Sequence, residues 1–299
     1  MQHIFKLAAV AALCASAVAH AGVAVDANIE TNTDFRKKSA TQDSVTNGGR
    51  VEVNFNAALA KNGDYFVNAR GNTLINLSGG VSIDDAWLHM GGSTVDLKIG
   101  RFEAMDLFPL GKDVAPNITN IGYNANTLRG RFSDGRLHAA LGINPSSALR
   151  VELGLSTEKQ TGGASYGVRP VVQYSAGALT VRVGAESIKA DGTSTSTSGT
   201  GVTLGYAVNS TTSVNVNFAS NSKADKSAFG LNATFGDAGI GFVQGKNDAT
   251  NTKSTSVYAA YSFPLLGVKG ATITPAIGQT KVTGQASDTG ARVRVNYAF

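Results

Sequence analysis

Over most of its length this chain alternates apolar and polar residues one by one. In "VAVDANIETNTDF", Val23, Val25, Ala27, Ile29, Thr31, Thr33 and Phe35 fall on one side of an extended strand. Asp26, Asn28, Glu30, Asn32 and Asp34 fall on the other. "RVEVNFNAALA", "TVDLKIG", "LRVELGLS", "LTVRVGAE", "TSVNVNFA" and "FGLNATF" repeat the pattern. Side chains alternate across a strand with period two, so each segment predicts a β-strand with one apolar and one polar face. No amphipathic stretch at helical spacing has comparable length, so nothing is left over to cover the apolar faces. A soluble sandwich buries them against a second sheet. Here the polar face carries charges and amides along nearly every strand. Both facts are met by a sheet closed on itself, apolar side turned to lipid and polar side to a water-filled interior. Closure leaves no unpaired edge, which a bilayer requires.

Sixteen candidate strands follow, near 23–35, 50–60, 65–75, 81–90, 94–102, 137–143, 148–156, 165–174, 178–188, 201–208, 212–220, 227–235, 239–246, 254–263, 271–280 and 291–299. The fold class is therefore all-β, a transmembrane antiparallel barrel of about 16 strands, with 14 and 18 as the neighbouring counts. Short connections ("NGD", "GGS", "NPSS", "SAGA", "VNST", "GDA") alternate with longer ones ("RKKSATQDSVTNGG", "TEKQTGG", "ADGTSTSTSG", "SNSKADK", "NDATNTK"). The former suit a periplasmic side and the latter an outer side. A further alternating run, "TLRGRF", would make the count odd and turn all later long loops to the wrong side. It is placed inside one long connection, residues 103–136.

That connection is too long to be an ordinary loop. It holds Phe108 and Tyr123 among apolar residues, and the charges Asp106, Lys112, Asp113, Arg129 and Arg131. It is expected to fold into the barrel and constrict it. The strand phase turns Arg50, Arg70, Asp96, Lys98, Arg150, Glu152, Arg169, Arg182, Glu186, Arg292 and Arg294 inward, as channel lining.

The N-terminus, "MQHIFKLAAVAALCASAVAHA", pairs Lys6 with a short apolar run and ends in a small-x-small site. Residues 1–21 therefore read as a cleaved export signal, and 22–299 as the barrel. Cleavage would remove Cys14, leaving an exported chain with no disulfide. The formal net charge of +5 is too mild to argue for nucleic acid. Beyond the signal only His89 and His138 remain as histidines, and neither a metal-ligand cluster nor a phosphate loop is present. The chain reads as a non-enzyme, with no cofactor and no metal. Tyr65, Tyr174, Tyr206, Phe235, Phe263 and Phe299 lie at short turns or at the C-terminus, where an aromatic girdle would meet the headgroups.

The stretch "DDAWLHMGGSTVDLKIGRFEAMDLFPLGKD" and the ending "VNYAF" resemble Gram-negative outer-membrane porins, most closely glycoporins of the raffinose-porin type. The resemblance implies passive diffusion of small hydrophilic solutes, sugars and oligosaccharides included, and an inward-folded loop after the fifth strand. It also implies outer-membrane lipid and lipopolysaccharide as surroundings, and recognition of Phe299 by the barrel-assembly machinery. Monomer and homotrimer both stay open, because lipid-facing and subunit-facing surfaces are alike apolar. Aromatics that could line a sugar path are few: Trp87, Phe102, Phe108 and Tyr123. The competing reading is a non-transporting surface barrel, an adhesin or anchor. Its large, sequence-rich outer loops are not found here.

Overall fold

The computed structural model describes residues 22–299 except 40–41, 121, 133–135, 161–162 and 191–195. The expected export signal, residues 1–21 with Cys14, lies outside the described residues. The strands are β1 (Gly22–Ser39), β2 (Gln42–Asn62), β3 (Tyr65–Asn76), β4 (Val81–Gly91), β5 (Val95–Arg101), β6 (Arg136–Ser146), β7 (Leu149–Gln160), β8 (Gly163–Ala176) and β9 (Leu179–Ala190). They continue as β10 (Ser196–Ala207), β11 (Thr212–Asn221), β12 (Lys226–Phe235), β13 (Ala238–Asn247), β14 (Thr252–Tyr261), β15 (Phe263–Pro264), β16 (Ala271–Val282) and β17 (Asp288–Ala298). All pair antiparallel in one sheet, and β1 pairs with both β2 and β17. The sheet is a closed barrel.

Its staves number sixteen, because β15 is the end of β14. Ala260 lies opposite Ala276 and Phe263 opposite Ile273, so the register against β16 continues without a shift. Pro275, which has no N–H to give the ladder, stands at the break. The last residue closes the barrel through its backbone: Ala27 N–H donates to the Phe299 carbonyl at 2.8 Å, and Phe299 N–H to the Ala27 carbonyl at 2.9 Å.

The wall has the two faces that the alternation requires. Val25, Leu204, Phe218, Ile240, Val257 and Ile277 are exposed outward. The six turn-proximal aromatics, Tyr65 to Phe299, are exposed at the end where β1 begins and β17 finishes. Tyr297 and Phe299 stack there at 5.4 Å.

The outer connections differ from expectation. The pattern predicts a loop over "RKKSATQDSVTNGG", but β1 runs on to Ser39 and β2 begins at Gln42. Strand likewise extends into "TEKQTGG" and "ADGTSTSTSG". Ser, Thr, Asn and Lys look like loop residues by composition. Above the membrane, water solvates both faces of a wall, so a hairpin there needs no apolar alternation. "TLRGRF" does lie within the long connection, where its one sheet-like contact is the isolated bridge of Gly130 to Glu103.

The candidate site: an inward loop and the wall it leaves open

The connection between β5 and β6 turns into the lumen and runs along the inner wall as an outgoing and a returning limb. On the way out, Leu107 packs at Gly184 and Gly201, and Phe108 at Gly230. Asn217 and Asn232 each donate to the Pro109 carbonyl at 2.7 Å, and the Tyr258 hydroxyl donates to the Leu110 carbonyl. Lys112 reaches the Asp237 carbonyl. At the far end Asn117 donates to the carbonyls of Gly278 (2.9 Å) and Asp288 (2.6 Å). On the way back, Thr119 N–H donates to Ser256 Oγ at 3.1 Å. Beside β9, the Tyr123 hydroxyl (2.6 Å) and the backbone N–H groups of Thr127 (3.1 Å) and Leu128 (2.9 Å) converge on the Glu186 carboxylate.

The wall admits the loop because its inward residues are small at the points of contact. Gly184, Gly201, Ala219, Ala228, Gly230, Gly278 and Gly290 stand on β9 to β17 in inward phase. A Cβ on Gly201 would come within 2.7 Å of the Ala125 methyl, and one on Gly230 within 2.9 Å of the Phe108 ring. Leu107, Phe108, Ala115 and Ala125 form one buried cluster with Val171, Val243 and Tyr258 of the wall. The barrel therefore has a real core, between loop and wall. Burial pushes the Tyr123 phenol well above the ordinary tyrosine range, with Glu186 as a second cause. Burial lowers the Lys112 ammonium.

At the loop's root Phe102 is buried and stacks on His138 at 4.2 Å. Gly130 (φ +130°) runs against the Phe102 carbonyl, a backbone that disfavours a side chain. Arg131 pairs with Asp84 (3.0 Å) and Asp85 (3.1 Å), and Arg129 with Glu103 (3.1 Å) and Asp106 (3.4 Å). A cavity of about 320 Å³ opens beside the root, lined in part by His89, Asp96, Lys98, Arg150 and Glu152. There Arg150 grips Asp96 through both oxygens (2.6 and 3.0 Å). The Lys98 ammonium covers the Trp87 ring at 3.9 Å.

The loop touches the start of β17, at Asp288 and Gly290, and leaves the rest of β17, from Arg292 on, and the wall of β1, β2 and β3 uncovered. Arg292 binds Asp34 with two bonds of 2.6 and 2.7 Å. Arg294 faces Glu30 at 3.3 Å, Arg50 faces Glu52 at 3.6 Å, and Arg70 faces Asp85 at 3.4 Å. Arg36 pairs with Asp288. The side chains of Arg50 and Arg70 are 39% and 30% exposed although they point into a closed barrel, so the space they face admits water.

The residues singled out from the sequence thus separate into groups. Arg50, Arg70, Arg292 and Arg294 stand on the open wall. Asp96, Lys98, Arg150 and Glu152 surround the root cavity. Arg169 and Glu186 are buried beneath the loop, 3.8 Å apart, and Arg169 also donates to the Met105 carbonyl at 2.7 Å. They fasten the loop and are covered by it. Arg182 donates to Gln173 and to the Asp106 carbonyl. Phe108 is buried against the wall, whereas Asp113 is exposed at the bend of the loop. Missing from the sequence reading were the seat of small residues and its polar anchors Asn117, Asn217, Asn232, Ser256 and Tyr258. Their signal was available: glycine or alanine recurring at inward positions of successive strands.

Residues 14–141 match the family model described as porin-like glycoporin RafY. No curated protein matches the chain. Among solved structures, an anion-selective porin from Comamonas acidovorans superposes with TM-score 0.69 at 15% identity, over 93% of this chain and 100% of that one. A mutant of the Rh. blastica porin superposes with TM-score 0.65 at 14% identity, over the same shares. The chain has the sixteen-stranded antiparallel barrel of bacterial outer-membrane porins, with the long loop inside it.

Proposed function

We propose that this porin barrel, glycoporin-like over residues 14–141, is a passive channel for small hydrophilic solutes, sugars and oligosaccharides among them. The observation that carries the reading is the open wall: Arg50, Arg70, Arg292 and Arg294, with their acidic partners, remain partly exposed inside a closed barrel. A lumen without water would bury such charges at a cost of several kcal/mol each. The inward loop, 103–136, acts as the constriction, and its fastening to one wall fixes the width of the path beside the other.

For sugars the lining offers hydrogen-bonding groups more than ring platforms. Phe102 and Phe108 are buried, Lys98 caps Trp87, and Tyr123 gives its hydroxyl to Glu186. A path of this chemistry passes sugars along with other polar solutes of similar size. Planar-bilayer recording with sugar titration tests the reading. Steady ohmic channels whose current falls as an oligosaccharide is added support it; no channels at all would return the chain to the class of surface anchors.

Two features of its assembly belong to the same proposal. Phe299, exposed at the end of the closing strand, serves as the signal read by the assembly machinery. The barrel works as a homotrimer, and exposed Val45 of β2, Leu77 of the β3–β4 turn, and Val81 and Ile83 of β4 are suited to protein contact. Residues 1–21 direct export and are removed.

A further inference from the structure

The cavity beside the loop's root is lined by five charged side chains, Asp96, Lys98, Glu103, Arg150 and Glu152. It lies between the start of the outgoing limb and the inner wall of β4 to β7, toward the short turns. All but one of the five are committed. Arg150 takes both oxygens of Asp96, and His89 (3.0 Å) and Asn144 (3.2 Å) meet the same carboxylate. Glu103 faces Arg129 at 3.1 Å. Glu152 accepts the Met105 N–H through one oxygen at 2.9 Å. Lys98 is the exception. Among the described residues its ammonium has neither an ion pair nor a hydrogen bond, and it rests on the rings of Trp87 (3.9 Å) and Phe102 (4.9 Å).

A half-buried ammonium is held more weakly by an aromatic face than by a carboxylate that accepts its hydrogen bonds. One uncommitted cation among three acids matches a single negative charge, a carboxylate rather than a phosphate dianion. Whatever draws the ammonium aside also uncovers the ring beneath it. Lys98 lines the cavity, and Trp87 stands behind it without lining the cavity itself. An uncovered indole is a flat apolar face that fits the C–H face of a sugar ring. The second oxygen of Glu152, with no hydrogen bond among the described residues, can accept from a sugar hydroxyl. At about 320 Å³ the cavity stands at the small end of small-molecule sites, room for one sugar unit.

We propose that this cavity binds acidic sugars, hexuronate units in particular: Lys98 swings from Trp87 to the sugar carboxylate and exposes the indole as the platform for the ring. The inference rests on the sugar-channel reading above and narrows its substrate class. Neutral sugars meet the capped ring and pass without being held.

Trp87 is the only tryptophan of the chain, so its fluorescence reports this site alone. The full-length barrel is titrated with galacturonate, galactose and acetate, and the same solutes are added during planar-bilayer recording. Galacturonate should change the emission saturably and interrupt the current at concentrations where galactose and acetate do neither. Lys98→Met keeps the stem and removes the charge. It should bind galacturonate roughly ten- to a hundredfold more weakly, the worth of a charged hydrogen-bond partner, and no better than galactose. Lys98→Arg should keep the preference for the acid. Equal responses of wild type to galacturonate and galactose would overturn the proposal, as would acetate acting as strongly as galacturonate, or a preference that survives in K98M. Conducting channels without the preference count against this inference alone. No channels from wild type would overturn the porin reading, and this inference with it.

Discussion

Glu186→Ala cuts the fastening of the loop at one point. In the wild type its buried carboxylate accepts from the Tyr123 hydroxyl and the N–H groups of Thr127 and Leu128, and lies 3.8 Å from the Arg169 guanidinium. Removing it strips three donors of their acceptor and leaves Arg169, 1% exposed, without its counter-charge. Breaking a buried pair on one side costs about 3–5 kcal/mol. The barrel itself is spared, because β9 keeps its full ladders to β8 and β10. The cost therefore falls on the attachment of the returning limb. At 1.4 kcal/mol per factor of ten, the detached fraction should rise roughly 140- to 3,700-fold. A detached limb inside a closed barrel can move only into the lumen. Single-channel recording should therefore show E186A flickering between the full level and partly blocked levels that wild type rarely visits. Glu186→Gln, which still accepts from the N–H groups, should flicker less. Removing both charges with E186A/R169A should also be milder than E186A alone, since no orphaned cation remains. A quiet E186A channel at wild-type conductance would refute the claim that this cluster holds the loop.

Other perturbations test other parts of the argument. Gly201→Val should displace the loop, because its Cβ would stand 2.7 Å from the Ala125 methyl; altered conductance with an unchanged β-sheet spectrum is the check. Deleting the middle of the loop, residues 109–125, should raise single-channel conductance, and an unchanged value would remove the constriction role. Deleting Phe299 should lower the amount assembled in the outer membrane far more than it alters the conductance of assembled barrels. Tyr123 should make the loop alkali-sensitive. Its phenol is raised in the folded protein, first by burial, so above the ordinary tyrosine value near 10 an unfolded loop releases a proton that the folded loop keeps, and stability falls as pH rises. Loop detachment above that pH, scored as flicker, should be smaller in Tyr123→Phe.

The barrel was legible in the sequence because its cause is local. A half-lipid, half-water wall demands alternation at every strand, and each strand records that demand in its own residues. Val293 and Tyr297 outward, and Arg292 and Arg294 inward, follow from position along one strand. The sixteen staves and the long insertion follow from counting such segments. The outer hairpins were less legible, since strand surrounded by water on both faces carries no such record.

The site was only half legible, for a physical reason. Inward phase says that a side chain points into the barrel, but not whether water or the loop meets it there. Arg50 and Arg169 look alike in the sequence; one remains 39% exposed and the other 1%. The difference lies in where residues 102–132 come to rest, and that depends on contacts between segments more than a hundred residues apart, such as Asn217 to Pro109 and Thr280 to Asn117. Period-two chemistry in the chain by itself determined the wall, its closure and its two faces. The tertiary fold alone decided which charges the lumen exposes, because a loop can cover only one side of a barrel and only where the wall is small enough to receive it.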